Sequence, residues 1–115
     1  MMKDKIVIYQ KPTCSKCRAT VSLLEDSGEE FEAITYYETP LTAEKLRELI
    51  QKLGVSPQHI LRKDEPAAAT LGTASDDEII HAMVKNPDLI QRPIVVRGNT
   101  ARLCRPPENV LDLLK

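Results

Sequence analysis

Tryptophan is missing from the sequence, phenylalanine occurs once and tyrosine three times, so Phe31, Tyr9, Tyr36 and Tyr37 are its whole aromatic inventory. Stacking platforms for single-stranded nucleic acid, which need successive aromatic faces, are scarce for that reason. A charge excess is missing too. Sixteen Lys and Arg stand against seventeen Asp and Glu, a net of −1, and without a basic surplus nothing drives binding to a phosphate backbone. A nucleic-acid partner is therefore not expected. No apolar run approaches the roughly 20 residues of a membrane span, and Met1-Met2-Lys3-Asp4-Lys5 does not open an apolar leader. No membrane partner is expected, and the chain reads as cytoplasmic.

What is present is an ordinary globular composition, 42 % hydrophobic and 29 % charged over 115 residues and 12.9 kDa. That length suits one aliphatic core, since single domains of about 100–150 residues are the commonest size. No repeat, low-complexity tract or linker-like stretch divides the chain. One domain over 1–115 is expected, with a helical insertion at about 41–90. Three cysteines are an odd number in a chain of good core size, which argues against a disulfide framework and for thiols kept reduced.

The punctuation gives the order of elements. Ile6-Val7-Ile8-Tyr9 is a β-branched run ending at Gln10-Lys11-Pro12, and from Cys14 the apolar spacing turns helical through Ala19, Val21, Leu23 and Leu24 until Gly28. A second strand is expected around Phe31–Tyr36, because Phe31 and Ala33, with Tyr36 as a further candidate, interleave with polar positions. Thr42 can cap a helix bearing Leu46, Leu49, Ile50 and Leu53, ended by Gly54. Ser75-Asp76-Asp77-Glu78 has capping-box spacing ahead of Ile79, Ile80, Met83 and Val84, with Pro87 as the stop. Ile94-Val95-Val96 and Ala101-Arg102-Leu103-Cys104, separated by Gly98-Asn99, predict a hairpin, and Pro107 can start a terminal helix bearing Val110, Leu111 and Leu114. A β-α-β half, a helical block and a β-β-α half are the order of an α/β thioredoxin-like fold with helices inserted in its middle.

The chemistry concentrates in Pro12-Thr13-Cys14-Ser15-Lys16-Cys17-Arg18, a C-x-x-C where a strand hands over to a helix. Unpaired N–H groups and the macrodipole at a helix N-terminus favour an anion, so Cys14 should ionise more easily than a free thiol. The thiolate is the nucleophilic form. Cys17, one turn on, can approach Cys14 closely enough for a disulfide and should be the less exposed of the two, a plausible resolving thiol. Structural zinc is disfavoured because only Cys104, His59 and His81 remain and their spacing fits no common pattern. Cys104, in an expected strand, is better explained as core filler. His59 and His81 have no carboxylate or nucleophile at telling spacing and receive no role.

K-P-T-C-S-K-C-R at 11–18, I-L-R-K at 60–63, R-P-I-V-V at 92–96 and A-R-L-C-R-P at 101–106 occur together and in order, with Tyr37-Glu38-Thr39-Pro40 between the first two. In this set the chain resembles the glutaredoxin-linked arsenate reductases. The resemblance implies a nucleophilic cysteine at Cys14, oxyanion-binding arginines at Arg62, Arg92 and Arg105, and a cis proline at Pro93 facing the cysteine. It also implies arsenate as substrate, no bound cofactor, glutathione as thiol co-substrate, and glutaredoxin or thioredoxin as redox partner. Guanidinium forks suit a tetrahedral oxyanion, because they offer paired charge-assisted hydrogen bonds.

Two departures bear on mechanism. Many such reductases have serine where Cys17 stands, so an internal thiol is available here. Many also have histidine and asparagine where Gln10-Lys11 stands; Gln10 cannot carry charge, although Lys11 can act electrostatically. Two other functions use the same residues. General thiol–disulfide exchange needs only the C-x-x-C, and a redox-sensing regulator resembling Spx would present the motif on a surface that binds RNA polymerase. The arginines of I-L-R-K and L-C-R-P fit the reductases better than that regulator.

Overall fold

The computed structural model describes residues 5–11 and 13–114. Pro12, expected to end the first strand, and the N-terminal segment 1–4 lie outside the described residues. Two compact units form, one from 1–39 with 92–115 and the other from 40–91.

The first unit is a four-stranded sheet in the order β2-β1-β3-β4, with β1 at Ile6–Gln10, β2 at Phe31–Thr35, β3 at Ile94–Arg97 and β4 at Thr100–Leu103. β1 pairs parallel with β2, and antiparallel with β3, which continues into β4 as a hairpin. Gly98, in the hairpin turn, has φ +63°, the left-handed conformation that a tight turn needs and glycine adopts without steric cost. The parallel β1–β2 pair requires a crossover, supplied by helix α1 at Ser15–Ser27. Ile6, Ile8 and Val95 from the sheet, Leu24 from α1, and Cys104, Val110 and Leu113 form one buried aliphatic cluster.

Two expectations need correction here. Ala33 is exposed, because β2 is an edge strand; Phe31 is only half-buried against the cluster. The terminal helix, Pro107–Leu113, is a 3-10 helix and buries Val110 and Leu113, leaving Leu111 46 % exposed. In that tighter helix residues three apart eclipse one another, so Val110 and Leu113 share a face and Leu111 turns outward, while Leu114, as expected, packs partly buried against the cluster. Cys104 also lies just past β4, although its N–H still reaches Pro93 O at 2.9 Å.

In the second unit, α2 at Ala43–Leu53 is capped by Thr42 Oγ1, which accepts from Lys45 N at 3.1 Å, and α3 at Asp76–Lys85 begins with a reciprocal Ser75–Glu78 capping box. Leu46, Leu49 and Ile50 of α2 and Ile79, Ile80 and Met83 of α3 are buried. Short 3-10 turns at Pro57–Ile60, Pro66–Ala68 and Pro87–Leu89 complete the unit. An isolated antiparallel bridge, Leu61 to Ile90, joins its middle to its C-terminal end, flanked by Arg62 N–H to Leu89 O and Gln91 N–H to Ile60 O, both 2.8 Å.

Candidate active site

Strand register gathers the chemistry at one end of the sheet. β1 runs toward Cys14 and pairs Gln10 with Thr35, so the residues after β2, Tyr36 and Tyr37, emerge beside those after β1. Antiparallel pairing of Tyr9 with Ile94 and of Ile94 with Leu103 brings Arg92-Pro93, which precede β3, and Cys104-Arg105, which follow β4, to that same end. Both Arg92–Pro93 and Arg105–Pro106 are cis peptides, which matches the cis form expected at Pro93.

Cys14 is the N-cap of α1. Its Sγ accepts from the Cys17 N–H at 3.4 Å, and its own N–H closes a turn onto Lys11 O at 3.0 Å. Partial burial pushes the Cys14 thiol up. That effect is outweighed by hydrogen bonds from the Cys17 side chain and from the Cys17 and Lys16 N–H groups, with attraction from Arg92 added, so Cys14 is held below the ordinary thiol value. Cys17 is fully buried, and burial pushes it up to about 12, the neighbouring Cys14 charge adding to the rise. All three cysteines are free thiols. The pair therefore divides into an accessible thiol that ionises more readily than usual and a buried, protonated neighbour, a division set by the helix start and by packing.

Arg92 is only 8 % exposed. Burial alone would lower its pKa, but Tyr36, Tyr37 and Cys14 together hold it above its ordinary value, so it remains a cation beside the thiol. Arg105 Nη1 donates to Arg92 O at 3.0 Å, joining the two arginines through the backbone next to Pro93. Cys14, Cys17, Arg92, Pro93 and Arg105 thus come together in the first unit. Arg62 lies in the second, its guanidinium 3.6 Å from both Asp64 and Glu65. His59 and His81 are exposed. Among the described residues no group of three or more His, Cys, Asp or Glu side chains could hold a metal ion.

Tyr36 is the site residue that sequence patterns did not single out. It is 1 % exposed, its ring lies 5.0 Å from that of Tyr37, and Lys11 Nζ sits 4.8 Å over the Tyr37 ring. Burial pushes its phenol up to about 12 against the opposing pull of Arg92. The signal available was positional: a large aromatic directly after a parallel strand paired with the strand that leads to Cys14.

Residues 9–113 match the sequence profile of the ArsC family. The chain belongs to that family. The Escherichia coli K12 protein called "Uncharacterized protein YfgD" is 42 % identical, over 98 % of this chain and 99 % of its own length. An arsenate reductase of Yersinia enterocolitica is 43 % identical over 96 % of this chain and 82 % of that protein. The solved arsenate reductase from Vibrio cholerae matches with a TM-score of 0.90 at 40 % identity, over 96 % of this chain and 98 % of that one. As an ArsC-family chain it has the thioredoxin-like α/β fold expected from its element order. Among the described residues no helix is long and apolar enough to cross a membrane.

Proposed function

We propose that this protein is an arsenate reductase, an oxidoreductase in which the Cys14 thiolate attacks arsenic while Arg92 and Arg105, joined by Arg62 on the family resemblance, hold the oxyanion. The observation behind this reading is the pairing of an ionisable thiol at a helix N-cap with the buried cation of Arg92. Attack forms a sulfur–arsenic bond, and one arsenate oxygen leaves as water after taking up protons from solvent. Guanidinium groups offset the charge that builds on the remaining oxygens. A second thiolate then attacks the Cys14 sulfur. A disulfide forms, and the electron pair of the sulfur–arsenic bond stays on arsenic, which departs as arsenite.

Glutathione fills the second-thiol role on the family resemblance, glutaredoxin or thioredoxin then reduces the disulfide, and the cytoplasm is the compartment that supplies both. Cys17, one helical turn from Cys14, is an internal candidate for that role, for which its buried thiol must first give up its proton. The decisive assay supplies arsenate, glutathione and glutaredoxin and follows arsenate-dependent thiol consumption. Activity is expected, with loss of at least about a hundredfold in Cys14→Ser, as removal of a nucleophile requires. Arsenate-independent consumption that survives replacement of Arg105 would instead mark a general thiol–disulfide oxidoreductase. After arsenate exposure, mass spectrometry distinguishes Cys14 carrying glutathione from Cys14 bridged to Cys17.

A further inference from the structure

Among the described residues, the buried side-chain polar atoms without a hydrogen-bond partner are Tyr36 Oη, Arg92 Nε and Arg92 Nη1. Their coincidence is informative. A buried donor left unpaired is costly, more so when charged, and folded chains rarely tolerate it without a reason. These atoms belong to side chains that face one another, the guanidinium acting on the phenol by charge and as a hydrogen-bond donor just outside full bonding geometry, and each is deeply buried and within electrostatic reach of Cys14. Close by, Arg105 Nη1 donates to Arg92 O and the Cys17 N–H donates to Cys14 Sγ. What is left over is a set of donors, and its complement is an acceptor that carries negative charge.

We propose that the Tyr36 hydroxyl is a further oxyanion-binding group, which with an unpaired N–H of the Arg92 guanidinium holds an oxygen of the tetrahedral substrate beside Cys14. The inference deepens the arsenate reading and rests on its oxyanion site. A phenol that stays protonated contributes a directed O–H donor without adding a charge, and burial keeps Tyr36 in that form. Its ring is fixed against Tyr37, which in turn lies under Lys11, so the hydroxyl is presented from a braced aromatic pair.

The test uses Tyr36→Phe in the full chain, with Tyr37→Phe as a control, and inorganic phosphate as an unreactive tetrahedral probe. Iodoacetamide labelling of Cys14, assigned by mass spectrometry, is timed with and without phosphate. Without phosphate, Tyr36→Phe should label within about twofold of wild type; the phosphate needed for half-protection should rise about tenfold, the size of a lost hydrogen bond to a charged acceptor. The phosphate-induced rise in melting temperature should shrink in parallel. Because Tyr36→Phe deletes an unpaired buried hydroxyl, its melting temperature without phosphate should not fall.

Unchanged half-protection in Tyr36→Phe overturns the proposal. So does a slower labelling rate without phosphate that matches the loss of protection, since Tyr36 would then be positioning Arg92 and not touching substrate. Failure of phosphate and arsenate alike to protect the wild type overturns it as well. Phosphate binding requires no turnover: a protein that binds phosphate through Tyr36 yet reduces no arsenate refutes only the reductase reading, whereas active enzyme with normal protection in Tyr36→Phe refutes only this one.

Discussion

At the residue scale, one turn of helix separates two identical thiols whose protonation moves in opposite directions. Cys14 at the cap receives hydrogen bonds and faces a cation; Cys17 is shut in the core. Alkylation at neutral pH should therefore fall on Cys14, with Cys17 and Cys104 unlabelled until the fold opens, as peptide mapping can check. The midpoint of the pH–rate profile for Cys14 should lie below the ordinary thiol value. It should move upward in Cys17→Ala, which deletes the side-chain bond that lowers it, and an unmoved or falling midpoint would refute that role. The linkage sign follows. Because the folded Cys14 value lies below the unfolded one, its contribution to stability is present above the unfolded value and lost as pH falls through the folded one. Cys14 was legible from the C-x-x-C at a strand–helix junction, and Arg92 and Arg105 from their place in ordered motifs. Tyr36 was not, because its importance comes from burial and from neighbours supplied by other strands, which local sequence does not encode.

At the scale of elements, chain signals were clearest where side chains satisfy the backbone of their own helix. Thr42, Gly54 and the Ser75–Glu78 box stand where the caps stand, because each bond spans only a few residues. Ser75 Oγ accepts from Glu78 N and Glu78 Oε1 accepts from Ser75 N, both at 3.2 Å. Ser75→Ala should cost about 1 kcal/mol, the usual value of an N-cap hydroxyl, read as a lower urea midpoint with an unchanged slope; a shift of the slope instead would point to altered native or denatured compactness. Elements whose form depends on tertiary surroundings were less legible. Pro107 correctly marked a helix start, but whether the helix is α or 3-10 turns on which of Leu111 and Leu113 meets the cluster beneath. The inward face of β2 likewise depended on its becoming a sheet edge.

At the scale of the whole molecule, a core with few aromatics admits a thiol among its aliphatic side chains, and this imposes an alkaline limit on stability. Cys104 is fully buried with Ile6, Ile8 and Leu24, and burial pushes it up to about 12 from an ordinary value of 9.0. A thiol in the unfolded chain ionises near the lower value while the folded one still holds its proton, so the folded state binds more protons between the two. Stability present below the ordinary value is therefore lost as pH rises through that window, at a limiting slope of about 1.4 kcal/mol per pH unit for each such group. Cys17, displaced in the same direction, adds to the decline. Urea titrations from neutral pH to above 10 should show wild type losing stability progressively. Cys104→Ala should start lower, because a cavity replaces the sulfur, yet fall less steeply with pH, since one of the groups responsible is gone. Equal slopes for the two proteins would mean that Cys104 ionises in the folded state as readily as in the unfolded chain, contrary to its place in the core.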